Sequence, residues 1–168
     1  NDEIPWQYIL GILDLRNILS QVPIWVLMAA AIAVFAENPW RAAYNVFLFF
    51  AGMTISYHIC SIYLGGFNPQ SYMMRWYGVA VLSPLAAIPC WYAIGQGKAA
   101  FVLRVLFLAF MMFFAFYVGP WYVAGGGIAN ILFLALLAVM ISRGWRDAAI
   151  IIPMAFIVRA LVGMLAYV

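Results

Sequence analysis

Charges divide this chain at intervals that suit membrane-spanning helices and little else. No Asp, Glu, Lys or Arg occurs in 17–36, 42–74, 76–97 or 105–142. A spanning helix needs about 20 apolar residues, whereas a barrel strand needs about 10 in alternation. Of the 168 residues 69% are hydrophobic and 8% charged, and the mean hydropathy is +1.06. A soluble domain carries about 25% charged residues, so this chain has too little polar surface to fold in water. The sequence therefore predicts an all-α integral membrane protein, a single domain over 1–168, with no room for a soluble enzyme module.

Within 105–142 the run GPWYVAGGG (119–127) combines proline, an aromatic pair and three glycines, so a turn is predicted there. Six transmembrane helices result, near 18–36, 43–65, 75–95, 99–118, 127–142 and 147–167, packed as a compact bundle. The first is the weakest, because Asn17, Ser20, Gln21 and Pro23 interrupt it. Before it, residues 4–16 place Ile4, Tyr8, Ile12 and Leu15 near helical spacing and read as a short interfacial amphipathic helix.

The connecting segments differ in charge. Segments 37–42, 96–104 and 143–147 hold Arg41, Lys98, Arg104, Arg143 and Arg146, while the opposite side has Arg16 and Arg75 and no cation in 119–127. The positive-inside bias puts those five at the cytoplasmic face of a cell membrane and both chain ends outside. Trp40, Trp76, Trp91, Trp121 and Trp145 fall near helix ends, where interfacial indoles sit. The net charge of +3 comes from cations dispersed between apolar runs, which is topogenic charge and not a nucleic-acid surface. On the cytoplasmic side Arg143 and Asp147 are spaced to pair, and Arg104, slightly inside its helix, can snorkel outward.

Polar groups inside the spans carry the functional signal. Arg159 lies roughly 16 Å into the last helix from Ala148, near mid-membrane. A cation at that depth faces a partner or a water-filled cavity, so Arg159 reads either as a ligand or ion contact or as a structural ion pair or a snorkel towards the outer interface. His58 lies about 21 Å along its helix from Tyr44, with Thr54 one turn before it and Tyr57 adjacent. It reads as a hydrogen-bonded neutral imidazole, or as a ligand contact or proton carrier. Arg75, Asn130, Asp14 and Arg16 reach a similar level from other segments. Together these residues predict a cationic pocket in the outer half of the bilayer, suited to an anionic or zwitterionic small molecule or a lipid headgroup, with Tyr57, Tyr63, Trp121 and Tyr122 as walls. The segment 65–75 reads as a long loop, with Tyr72, Met73 and Met74 dipping into the interface or closing as a lid.

Enzyme signatures such as GxSxG, HExxH and the Walker lysine loop are absent. General acid–base work would fall on His58 alone, so catalysis is disfavoured. No second histidine supports a metal site, Cys60 and Cys90 form no CxxC pattern, and no cofactor is implied. Two classes remain: a small solute- or lipid-binding or transport protein, and a non-catalytic accessory or scaffold subunit of a larger membrane complex. Ala29 with Ala33 and Ser83 with Ala87 form small-xxx-small pairs that favour close helix packing, within the chain, with a partner or in a homo-oligomer. Size, helix number, aromatic richness and the Ala29/Ala33 pair loosely resemble the substrate-binding subunits of energy-coupling-factor vitamin transporters. No motif of that family transfers residue by residue.

Overall fold

The computed structural model describes residues 21–119 and 121–165. The interfacial segment 4–16, with Asp14 and Arg16, lies outside the described residues. The rest is helical: α1 (Val22–Val34), α2 (Pro39–Tyr63), α3 (Gln70–Ala93), α4 (Lys98–Ala115), α5 (Ile128–Ile141) and α6 (Trp145–Leu165). Between α4 and α5 a short antiparallel hairpin pairs β1 (Phe116–Val118) with β2 (Val123–Gly125), Tyr117 opposite Ala124.

Caps, prolines and glycines set the helix ends, and charges do not. In α1, Pro23 occupies the first turn, where its missing N–H would have had no partner. The start of α2 is at Pro39, four residues earlier than the charge spacing predicts, because the Asn38 carboxamide oxygen accepts from the Arg41 N–H at 2.8 Å with Pro39 directly after the cap. Likewise α3 begins at Gln70 and not at 75, so the predicted long loop shrinks to 64–69. Met73, expected at the interface, is buried at 1% exposure against the bundle. Inside α3, Pro84 cannot donate to the Ala80 carbonyl, and the Ser83 hydroxyl donates to it at 2.9 Å instead.

Three helices, α2, α4 and α6, are long and apolar enough to cross a membrane. The 13 residues of α1 and 14 of α5 extend about 20 Å each, short of the ~30 Å hydrocarbon core. At 24 residues α3 has the length, but Gln70, Ser71, Arg75 and Ser83 lower its apolarity. The central helix is α4, which packs against α3, α5 and α6 and buries Val105, Leu108, Ala109, Met111 and Met112. Outward positions are apolar too: Val81, Leu85 and Val139 are 68%, 70% and 78% exposed. Such an inverted surface fits lipid, where helices associate through small residues and hydrogen bonds more than through the hydrophobic effect.

Polar links gather the turns at one end. The Trp91 indole N–H donates to the Ala36 carbonyl at 2.8 Å, pinning α3 to the α1–α2 turn. Arg104 does not snorkel: at 3% exposure it turns inward, and its Nη1 donates to the Ala93 and Gly95 carbonyls at 3.1 and 3.3 Å. Those are unpaired acceptors at the C-terminus of α3, where a cation is favoured. Its Nε stands 3.3 Å from Asp147 Oδ2 in the first turn of α6. Asp147 thus pairs with Arg104 and not with the Arg143 side chain, while accepting the Arg143 backbone N–H at 3.1 Å. Arg41 pairs with Glu37 at 2.7 Å on an exposed face, an interaction worth about 0–1 kcal/mol.

Candidate functional site

The polar residues within the apolar helices separate into two groups on different sets of helices. One is held by α4, α5, α6 and the hairpin. Arg159, 7% exposed, sends Nη2 to the Phe116 carbonyl at 3.3 Å. Its guanidinium carbon lies 4.1 Å from the centroid of the Phe113 ring. Gly163, one turn on, makes room: a β-carbon there would stand 2.7 Å from Arg159 Nη1. Asn130 meets the same corner from α5, its amide donating to the Phe114 carbonyl at 3.2 Å and the Gly126 carbonyl at 2.9 Å. Between them the Gly126 N–H donates to the Ala115 carbonyl at 2.7 Å. Glycine is required at 126, since a β-carbon there would land on the Phe114 carbonyl oxygen.

The frayed end of α4 therefore presents three successive carbonyls, of Phe114, Ala115 and Phe116, each met by a donor from another segment. A cation belongs there, at the negative end of the helix dipole and on the face of an aromatic ring. These dipoles lower the cost of burying Arg159 without cancelling its charge. Among the described residues the ion pairs are Arg41–Glu37 and Arg104–Asp147, and no carboxylate pairs with Arg159. Arg159 Nε and Asn130 Oδ1 are both buried without a hydrogen-bond partner, one a donor and one an acceptor. The corner is thus cationic, with unused hydrogen-bonding capacity of both signs.

The second group is held by α2, α3 and the loop between them. His58 Nδ1 is 2.8 Å from the Tyr77 hydroxyl, and Nε2 is 3.0 Å from Asn68 Oδ1. An amide oxygen can only accept, so Nε2 donates to Asn68, while Nδ1 and the Tyr77 hydroxyl share the other hydrogen bond. Beside it Tyr57, Tyr72 and Trp76 form an aromatic ladder, with ring centroids 6.1 and 6.3 Å apart. Tyr57 and Arg75 are exposed, and Arg75 makes no ion pair among the described residues. Trp121, at 96% exposure, and Tyr63, at 81%, stand on the outer surface.

The structure brings Arg159 together with Asn130, and His58 together with the Tyr57 side of α2. Since α2 packs on α3 and α1 while α6 packs mainly on α4, the groups have separate partners. Tyr77 was missed as the hydrogen-bond partner of His58. Its signal is a hydroxyl-bearing ring in the interior of a neighbouring apolar helix, where it needs a partner. No cluster of three metal-ligating side chains occurs among the described residues, and Cys60 and Cys90 are free thiols, exposed and buried respectively. Comparison with protein-family models, with curated proteins and with solved structures gives no match for this chain.

Proposed function

We propose that this chain is a small membrane-embedded protein that binds, and in transport passes on, an anionic or zwitterionic small molecule or lipid headgroup through a cationic pocket in the outer half of the bilayer. All six helices lie in a cell membrane in this reading. The end carrying Arg104 and Asp147 is cytoplasmic, and both chain ends are outside. One observation carries the proposal: Arg159 is buried and its charge is met by dipoles and a ring face, with no carboxylate among the described residues.

A buried ion without a counter-charge is unfavourable by several kcal/mol, and intramembrane cations commonly mark ligand or ion pathways. An anion at Arg159 would supply that charge and use the unpartnered Nε, while a donor on the same ligand would meet Asn130 Oδ1. His58, Tyr57 and Arg75 are proposed as a second polar contact for the ligand, on α2 and α3.

The test is native mass spectrometry of gently extracted protein, with denaturing analysis of what dissociates, comparing wild type with Arg159→Ala. A charge-assisted contact is worth about 1.5–3 kcal/mol, so a bound anionic metabolite or defined lipid is expected in wild type and about tenfold or more depleted in the variant. A protein partner retained with no small ligand in either sample would overturn the binding reading and favour the accessory-subunit alternative.

A further inference from the structure

Away from both polar groups, a cleft of about 220 Å³ opens among α1 to α5, and it is lined almost wholly by carbon. Small residues make the space. Ala29, Ala30 and Ala33 of α1 face Ser83, Ala86 and Ala87 of α3, with Val46 and Phe50 of α2, Phe110 of α4 and Leu137 of α5 completing the wall. Both small-xxx-small pairs predicted to close helix contacts thus border an opening. Leu-sized side chains at these positions would fill it to the density of a normal interior.

Water has no foothold there. The lone hydroxyl in the lining among the described residues, that of Ser83, already donates to the Ala80 carbonyl. A cavity water needs two to four polar partners, and apolar cavities smaller than this one stay dry and admit small hydrocarbons. The inner wall is closed, with Ala30, Phe50, Ala87 and Cys90 at 6%, 5%, 3% and 3% exposure. The rim is open: Val79 is 42% and Phe110 49% exposed, and Ala86 is exposed beside them. Val79, Leu82 and Ala86 share a stripe of α3, while Leu106 and Phe110 stand four apart on α4. Leu82 and Leu106 are 60% and 50% exposed, so the surface flanking the mouth is hydrocarbon as well.

From this continuity of a dry cleft with an apolar outer surface, we infer that the cleft between α3 and α4 is a binding site for one hydrocarbon chain of a membrane lipid. The inference rests on the membrane reading given above, because only there is the medium at the mouth acyl chain. It is independent of Arg159, since no charged residue lines the cleft among the described residues.

The test uses the full chain in phosphatidylcholine vesicles doped with phosphatidylcholine bearing a diazirine on one acyl chain, photolysed and mapped by peptide mass spectrometry. Labels are expected on inner-wall residues such as Ala30 and Ala87, as well as on the exterior at Val81 and Leu85. In Ala30→Leu the inner-wall labels should fall about tenfold while exterior labels persist. Because Ala30 is buried and its replacement could disturb folding, Ala86→Phe at the exposed rim serves as a second variant with the same expected loss. Exterior labelling without inner-wall labelling overturns the inference and leaves the membrane reading intact. Loss of exterior labelling as well overturns both. Inner-wall labels unchanged in both filled variants would also overturn the inference, by showing that the chain enters elsewhere.

Discussion

Removing the Arg104–Asp147 pair, singly and together, tests whether the end of the bundle that carries it is held by a polar latch. At 3.3 Å and an effective dielectric constant near 20, the gross attraction is about 5 kcal/mol, most of it offset by desolvation. The two side chains differ in surroundings, at 4% and 20% exposure. Arg104→Met removes the pair and both carbonyl bonds to the end of α3, so a loss of about 3–5 kcal/mol is expected. Asp147→Asn leaves those carbonyl bonds in place at a site that water can reach, and a smaller loss of about 1–3 kcal/mol follows. The double variant should fall short of the sum by about 1–3 kcal/mol. Equilibrium unfolding by sodium dodecyl sulfate titration in maltoside micelles measures all three. A coupling below about 0.5 kcal/mol, or an Asp147 variant less stable than the Arg104 variant, would refute the latch.

Ser83→Ala takes the donor from the Ala80 carbonyl that Pro84 cannot serve, and the same titration should show a loss of about 1 kcal/mol; no loss would mean that this carbonyl needs no side-chain donor. Gly126→Ala forces a β-carbon onto the Phe114 carbonyl and should destabilise by about 1–3 kcal/mol, with the hairpin amides of β1 and β2 losing hydrogen-exchange protection first. Tyr77→Phe leaves His58 Nδ1 without its hydrogen-bond partner; a loss of about 1 kcal/mol and a changed Nδ1 nitrogen resonance are expected, and an unchanged resonance would contradict the Nδ1–Tyr77 hydrogen bond.

The sequence disclosed the helices but misjudged several of their ends, for a physical reason. Charge spacing marks where a chain leaves hydrocarbon, yet Arg75, expected to open its helix, sits inside α3, which starts directly after Pro69. The Asn38–Pro39 signal at the start of α2 was legible and outweighs Arg41 as a boundary. The hairpin arises where GPWYVAGGG was read as a turn, since Phe116, Tyr117 and Val118 also satisfy an apolar helix pattern and only the Gly126 approach to α4 reveals the strand pair. Depth along a helix is arithmetic, so Arg159 and His58 could be singled out as polar groups within apolar helices. Facing direction is not, so Arg104 turning inward could not be read. Asn130 and Arg159 were expected in one pocket, but that both would bond backbone carbonyls at the end of α4 is a link no side-chain pattern records.

The most direct test of a ligand-binding Arg159 keeps its packing and varies its charge. Native mass spectrometry of protein titrated with phosphatidylglycerol and, separately, with phosphatidylcholine would compare wild type, Arg159→Lys and Arg159→Met. A lipid-headgroup ligand predicts wild-type retention of at least one of these lipids, a partial loss in the lysine variant, and about tenfold or greater loss in the methionine variant, with all three proteins equally folded. Equal retention in wild type and Arg159→Met, alongside a stability change confined to the α4–hairpin corner, would contradict it and make Arg159 a helix cap.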